Sequence, residues 1–379
     1  MGTIVESEYH MPEQFPENGI LAIQHLEKAI ADGVIAADRP VAPGQLQPAS
    51  LDLRLGVEAW RVQASFLPGQ HITVLDKLKK FGMHKIDLSD GAVLERGCVY
   101  IVKLQESLAL PAGITAMANP KSSTGRLDIF TRLITDYARE FESVADGYSG
   151  PLYAEISPRT FSVLVRAGSR LSQLRLRRGH IAPSDSQMQS LQSAVGLVHG
   201  TDSTDIRDGV GLSVNLEPDE KSNMVGWRAR KHAGLIDIDA PNSQPVNEFW
   251  ERVAPSDLTA GGLVLNPDEF YILASREFVT VPRDYAAEMR AYDTRVGEFR
   301  AHYAGFFDPG FGMAELGAAR TRAVLEVRSH DVPFLIEQGQ TVCRLVYEPM
   351  LAVPETLYGT SGSNYQSQGL RLAKHFIQD

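Results

Sequence analysis

A glutamate stands inside an apolar, strand-like run at Leu152-Tyr153-Ala154-Glu155-Ile156, where one face of such a strand is ordinarily buried. Burial lifts a carboxyl from about 4.3 toward 6–7, the range a general base needs near neutral pH. The same local sequence also fits a charge on the solvated face of an alternating strand. Glu326 repeats the oddity in Ala323-Val324-Leu325-Glu326-Val327, and the recurrence tells against the solvated reading. A second group of residues is Pro120-Lys121-Ser122-Ser123-Thr124-Gly125-Arg126. Two hydroxyls beside a glycine, with Lys121 and Arg126 within one turn's reach, can offer O–H, N–H and cationic donors to phosphate oxygens. Taken alone, the segment reads first as a solvated polar turn. The third group is the tail Leu357–Gly369, rich in Gly, Ser and Gln around Tyr358 and Tyr365. Such a tail can close over a ligand and exclude water, or be a loose end. As a lid it would stabilise no core, so a cut after Tyr358 is expected to leave the rest folded.

These groups need elements to position them. Ile20, Ile23, Leu26, Ile30 and Val34 recur at helical spacing and predict one amphipathic helix over 19–34. Beyond it the chain turns to short apolar runs punctuated by Gly, Pro, Asn and Asp, the texture of an all-β sandwich or barrel. A second helix is expected over 184–198, followed by the polar connection HGTDSTDIRDG. Four strand-like segments recur in order: 49–62 is echoed at 233–253, 93–113 at 264–284, 145–157 at 307–328, and 165–176 at 336–347. In register, they point to a duplicated β domain. The expected organisation is a first barrel at 1–180, a connection at 181–229 and a second barrel with the tail at 230–379.

Composition narrows the partners. A formal charge of −10 argues against a nucleic-acid polymer, which needs a basic surface; a free nucleotide stays possible through a local cationic cluster. No run approaches the roughly 20 apolar residues of a membrane helix, and the amino-terminal stretch lacks the basic start and apolar core of a secretory leader. Cys98 and Cys343 each sit in an apolar run, which suits buried free thiols and a cytoplasmic protein.

The segments QPASLDLRLG (47–56), PKSSTGRL (120–127), GYSGPLYAEIS (147–157), AGSRLSQLRL (167–176) and GSNYQSQ (362–368) resemble successive motifs of the bacterial dCTP deaminases, and more distantly those of the trimeric dUTPases. The resemblance implies two tandem dUTPase-like distorted β-barrels in a homotrimer whose sites lie between neighbouring barrels. It implies deamination of dCTP to dUTP and ammonia. By position, Ser122 and Ser123 would contact phosphates and set the attacking water, Arg126 would sit beside the base, and Glu155 would transfer protons, with Glu326 as the second-repeat candidate. Lys121, Tyr148 and Asp308 would contribute to the pocket. Tyr365, Gln366 and Gln368 would close over a triphosphate that carries Mg²⁺. Lys121 stands where the family usually has Arg, keeping charge but losing bidentate geometry. The second repeat has Arg290-Ala291-Tyr292-Asp293-Thr294-Arg295 in place of the Ser-Ser motif, so either one repeat is catalytic or both build a composite site.

The zinc nucleobase deaminases carry His-x-Glu and Pro-Cys-x-x-Cys, whereas here the ten histidines are scattered and the two cysteines, Cys98 and Cys343, lie far apart in sequence. Cytosine deamination by this chain would then be a zinc-free, carboxylate-assisted attack of water. Two rival readings remain. One is a dUTP diphosphatase or a bifunctional deaminase–diphosphatase. Its aspartate motif has a superficial likeness in Gly234-Leu235-Ile236-Asp237, read here as a structural strand matching Ser50–Leu53. The other is a non-catalytic nucleotide-binding protein.

Overall fold

The structure is a computed structural model that describes residues 17–181, 183–201, 203–219, 222–291, 299–302, 305–318, 320–329, 331–360 and 369–377. The predicted first helix forms over Ile23–Ala31 and buries Leu26 and Ala29. It is shorter than 19–34 because Gly19–Ile20 instead pairs with Arg177 and Arg178 as a strand, and Gly33 ends the helix at a positive φ of 75°. The second helix, Asp185–Val195, starts where the Ser184 hydroxyl accepts a hydrogen bond from Gln187 N and stops at left-handed Gly196.

In the first repeat, Ser143–Val144, Ile114–Pro120, Arg170–Arg178, Ser50–Val62, Val99–Ala109, Ser149–Pro158 and Ile129–Thr135 are hydrogen-bonded in that order. Ile114–Pro120 and Ile129–Thr135 meet again, so the sheet curls into a distorted barrel. Ser50–Val62 serves both sides, and its register with Val99–Ala109 shifts between Leu55 and Ala59. Gly56 lies in this crossing, where a Cβ would stand 2.5 Å from the Lys103 carbonyl oxygen.

The second repeat follows the same plan with Val210–Asn215, Phe270–Val279, Tyr285–Ala291, Arg322–Ser329 and Thr341–Pro349 in one sheet. The later three echoes fall on corresponding strands. The first does not. The partner of Ser50–Val62 is Val210–Asn215, which pairs with Thr341–Pro349 and Phe270–Val279 as Ser50–Val62 pairs with its neighbours. Segment 181–229, expected as a connection, therefore supplies the strands Val198–His199, Val210–Asn215 and Gly226–Ala229 to the second sheet. Ile236–Asp237 is a strand, as read, but it pairs in parallel with Val163 and Leu164 of the first repeat.

The C-terminal segment also departs from expectation. Leu372, Ala373 and Phe376 belong to the first repeat's core, so removing everything after Tyr358 would open that core. The lid reading had treated these positions as a dispensable end.

An ionic seam joins the repeats. Arg175, fully buried, donates to the Ala287 carbonyl (3.2 Å) and to Asp308 Oδ1 (3.2 Å) and lies 4.0 Å above the Phe306 ring. Arg177 reaches Glu288 (3.0 Å) and Glu348 (2.8 Å), and Arg328 meets Asp128. Removing one partner of such a pair strands the other charge in a dry place. Arg175→Ala is thus expected to lower unfolding stability by about 3–5 kcal/mol in urea titrations. A loss below 1 kcal/mol would show that the seam is not what holds the repeats together.

Candidate active site

One cleft of about 580 Å³ opens between the repeats. On its first-repeat side, Ile114–Pro120 runs into a single helical turn, Ser122–Gly125, closed by Thr124 N and Gly125 N donating to the Lys121 carbonyl at 2.8 and 2.9 Å. This turn brings Lys121, Ser122, Ser123 and Arg126 to the cleft together. Lys121 is ion-paired with buried Asp52, whose Oδ2 is also 3.8 Å from Arg170.

The facing wall comes from the second repeat. Glu326 is mid-strand, 6% exposed, opposite Ile272 on one neighbour and His302 on the other. Its Oε1 lies 3.9 Å from Arg126 Nε. Burial pushes its carboxyl up to about 8, with Arg126 pulling the other way. At neutral pH the group holds a proton yet can release it, which is what an acid–base carrier needs. Asp308 lines the same wall, and burial also raises its carboxyl against the pull of Arg175. Phe307, Phe311 and Tyr358 form an aromatic row, with centroids 5.0 and 5.5 Å apart. Gly312 lets it form: at φ 70°, a Cβ there would lie 1.8 Å from the Val279 oxygen.

The cleft thus gathers Lys121, Ser122, Ser123, Arg126, Asp308 and Glu326. Glu155 is elsewhere. It is buried in the matching strand of the first repeat, but its Oε1 accepts from Arg132 Nε (3.1 Å) and NH2. Arg132 itself is packed on Phe141 and Phe130, 3.5 and 4.6 Å from their centroids. Tyr148 is not among the cleft residues either; its hydroxyl donates to the Pro151 carbonyl at 2.7 Å and ties down its own turn. Tyr365, Gln366 and Gln368 lie outside the described residues. Among the described residues, no three His, Cys, Asp or Glu side chains come together to hold a metal ion.

Sequence reasoning missed three contributors. Asp52 and Arg170 sit inside two of the segments that carry the resemblance, so their segments were visible and their roles were not. Lys374 carries no local signal. It reaches the cleft because the C-terminal segment folds back, and it stands in the field of Lys121 and Arg170, with Asp52 and Asp239 opposing. Burial first, then the Lys121 charge, lowers the Lys374 ammonium below its ordinary range. Asp239 is occupied by the Ser169 hydroxyl at 2.6 Å and by Arg166 at 3.5 Å. Three cations crowded on one wall are costly without an anion and suit a polyanion.

A family model described as "2'-deoxycytidine 5'-triphosphate deaminase (DCD), C-terminal domain" matches residues 184–376, and its N-terminal counterpart matches 17–180. The chain belongs to the dCTP deaminase family. A crystal structure of 2'-deoxycytidine 5'-triphosphate deaminase from Agrobacterium tumefaciens shares 53% identity at a TM-score of 0.86, covering 91% of this chain and 99% of that one. A "dCTP deaminase, dUMP-forming" of Methanobrevibacter smithii is 31% identical over 35% of this chain and 65% of its own length. One from Methanothermobacter thermautotrophicus is 28% identical over 32% of this chain, with 58% of its own length spanned. One from Beutenbergia cavernae is 29% identical over 43% of this chain and 88% of its own length. The chain therefore spans less than two thirds of the first two of these relatives.

The crowding of Lys121, Arg170 and Lys374 gives a direct test. Inorganic tripolyphosphate should bind the full-length protein, and Lys374→Met should weaken that binding about tenfold, the worth of one charge-assisted contact. Equal affinities by calorimetry would remove Lys374 from the anion site.

Proposed function

We propose that this chain deaminates dCTP to dUTP and ammonia in the cleft between its two repeats, with Glu326 as the proton carrier. The observation that carries the reading is the meeting of the first repeat's Ser122–Arg126 turn with a buried, proton-holding carboxyl from the second repeat. The site is composite, and Glu155, neutralised by Arg132, has a structural role.

In this reading the cationic end of the cleft, Lys121 with Arg170 and Lys374, takes the triphosphate. The donors there are cations and hydroxyls, so Mg²⁺ enters with the nucleotide, held by its phosphate oxygens. Arg126 and Glu326 then flank the base. Protonated Glu326 gives its proton to ring N3 and takes one from water as the hydroxide attacks C4. It passes that proton to the amino group, which leaves as ammonia, and recovers the last from the C4 hydroxyl as the carbonyl forms. Ser122 and Ser123 orient the water and nearest phosphate.

A second reading is further hydrolysis to dUMP, favoured by the names of the three curated relatives above. Separation of products after incubation with dCTP decides between them: ammonia with dUTP, or ammonia with dUMP and pyrophosphate. No turnover with intact binding would return the chain to a nucleotide-binding role.

No helix among the described residues is long and apolar enough to cross a membrane; a cytoplasmic enzyme supplying dUTP for thymidylate synthesis fits the family. A homotrimer also fits it, although the cleft residues named here come from one chain. Light scattering that finds a fully active monomer would remove the trimer.

Glu326→Gln keeps the shape of the pocket without its proton and should lower kcat by about 10²–10⁴ with little change in KM. Glu155→Gln should leave turnover close to wild type. Because Glu326 must start protonated and titrates near 8, wild-type activity should hold below that pH and fall as pH rises through it. An inactive Glu155→Gln beside an active Glu326→Gln would reverse the assignment.

A further inference from the structure

Arg126 is 2% exposed, so fixed acceptors must orient its guanidinium where bulk water cannot. One such acceptor is unexpected. Arg126 NH1 donates to the main-chain carbonyl of Arg371 at 2.8 Å, while Nε of the same group faces Glu326. The Arg371 carbonyl can orient Arg126 only while its own segment is held in place.

Phe376 is the tie. It is fully buried, with edge-on contacts to Phe249 at 5.5 Å and Trp250 at 5.9 Å. Around it the backbone is laced to the stretch 236–244. Asn242 N donates to the Lys374 carbonyl and Ser243 N to that of His375, both at 2.9 Å, and Ile377 N donates to Gln244 O at 2.8 Å. Burial drives His375 down to about 4, so its ring is neutral and Nε2–H donates to the Ile238 carbonyl at 2.9 Å. The 236–244 stretch is in turn fastened to the first repeat by the Ile236–Val163 pairing and by Arg166 on Asp237, at 2.7 and 2.9 Å. A continuous line of contacts therefore runs from the first repeat through Phe376 and the Arg371 carbonyl to Arg126 and Glu326.

We propose that Phe376 is a positioning residue for deamination: by seating the C-terminal segment it fixes the Arg371 carbonyl that aims Arg126 at Glu326. The proposal rests on Glu326 being the proton carrier. It has an electrostatic signature. Among the described side chains, the charged group facing Glu326 is Arg126, from the Ser122–Gly125 turn; Cys343, from Thr341–Pro349, is the other titratable neighbour. Its register neighbours are Ile272 and His302. Arg126 opposes the effect of burial, so an unaimed guanidinium lets the Glu326 carboxyl rise further.

The experiment compares full-length wild type, Phe376→Ala, Phe376→Leu and Leu216→Ala, the last a core truncation in the second repeat that touches none of these contacts. Phe376→Ala should lower kcat by about 10–100-fold, the usual cost of a misplacement near 1 Å, with a smaller change in KM. The basic limb of its kcat–pH profile should move above that of wild type. Phe376→Leu should recover most of both, and Leu216→Ala should melt earlier with an unmoved limb. Should Phe376→Ala fail to fold by circular dichroism, Phe376→Leu carries the test, with a smaller shift in the same direction. Wild-type kcat and an unmoved limb in the folded variants would overturn the proposal. If Glu326→Gln is inactive in that same series, only the role of Phe376 falls; if Glu326→Gln is fully active, the reading beneath it falls as well.

Discussion

The meeting of Arg126 with Glu326 across the seam is the contact on which the rest of the site depends. Neither residue belongs to the same repeat, and neither is solvated well enough to tolerate isolation. A carboxyl without water stays protonated unless a cation comes close. A cation too close would strip the proton permanently. At 3.9 Å the guanidinium stands at a distance that leaves the carboxyl near neutrality. In the first repeat, by contrast, Arg132 grips Glu155 at hydrogen-bond distance through two nitrogens.

Holding that distance requires the two barrels to keep one relative placement. Arg175 and Arg177 project from Arg170–Arg178 into the second repeat's acids, and the same strand contributes Arg170 to the cleft. The element that locks the repeats together thus also supplies part of the phosphate end. The cleft lining thus combines Lys121, Arg170 and Lys374 with the buried carboxyl of Glu326 and an aromatic row.

The β architecture was legible because alternating apolar runs and their Gly/Pro punctuation are local signals. The motif turn at Lys121–Arg126 was legible for the same reason. Val210–Asn215 was not, since VGLSVN is short, holds Gly and Ser, and follows a polar stretch. GLID matched the wrong segment because residue types set a likeness while long-range pairing sets register. Choosing between Glu155 and Glu326 was beyond local reading altogether. Both sit between apolar neighbours; what separates them is a cross-strand arginine in one repeat and an inter-repeat arginine in the other. Phe376 looked like part of a loose end because nothing near it in sequence reports the nest formed by Phe249 and Trp250.

Placing both halves of the cleft on one polypeptide changes how the site depends on concentration. Where facing walls come from separate subunits, dilution empties the site by mass action. Here the walls meet at an effective concentration fixed by the tether and the seam, so dilution leaves the cleft assembled. Covalent linkage also ends the requirement that both barrels be identical. The first repeat brings the hydroxyl-bearing turn to the cleft and the second brings the buried carboxyl of Glu326. In the first repeat the corresponding carboxylate is tied to its cross-strand neighbour Arg132 and stays away from the cleft.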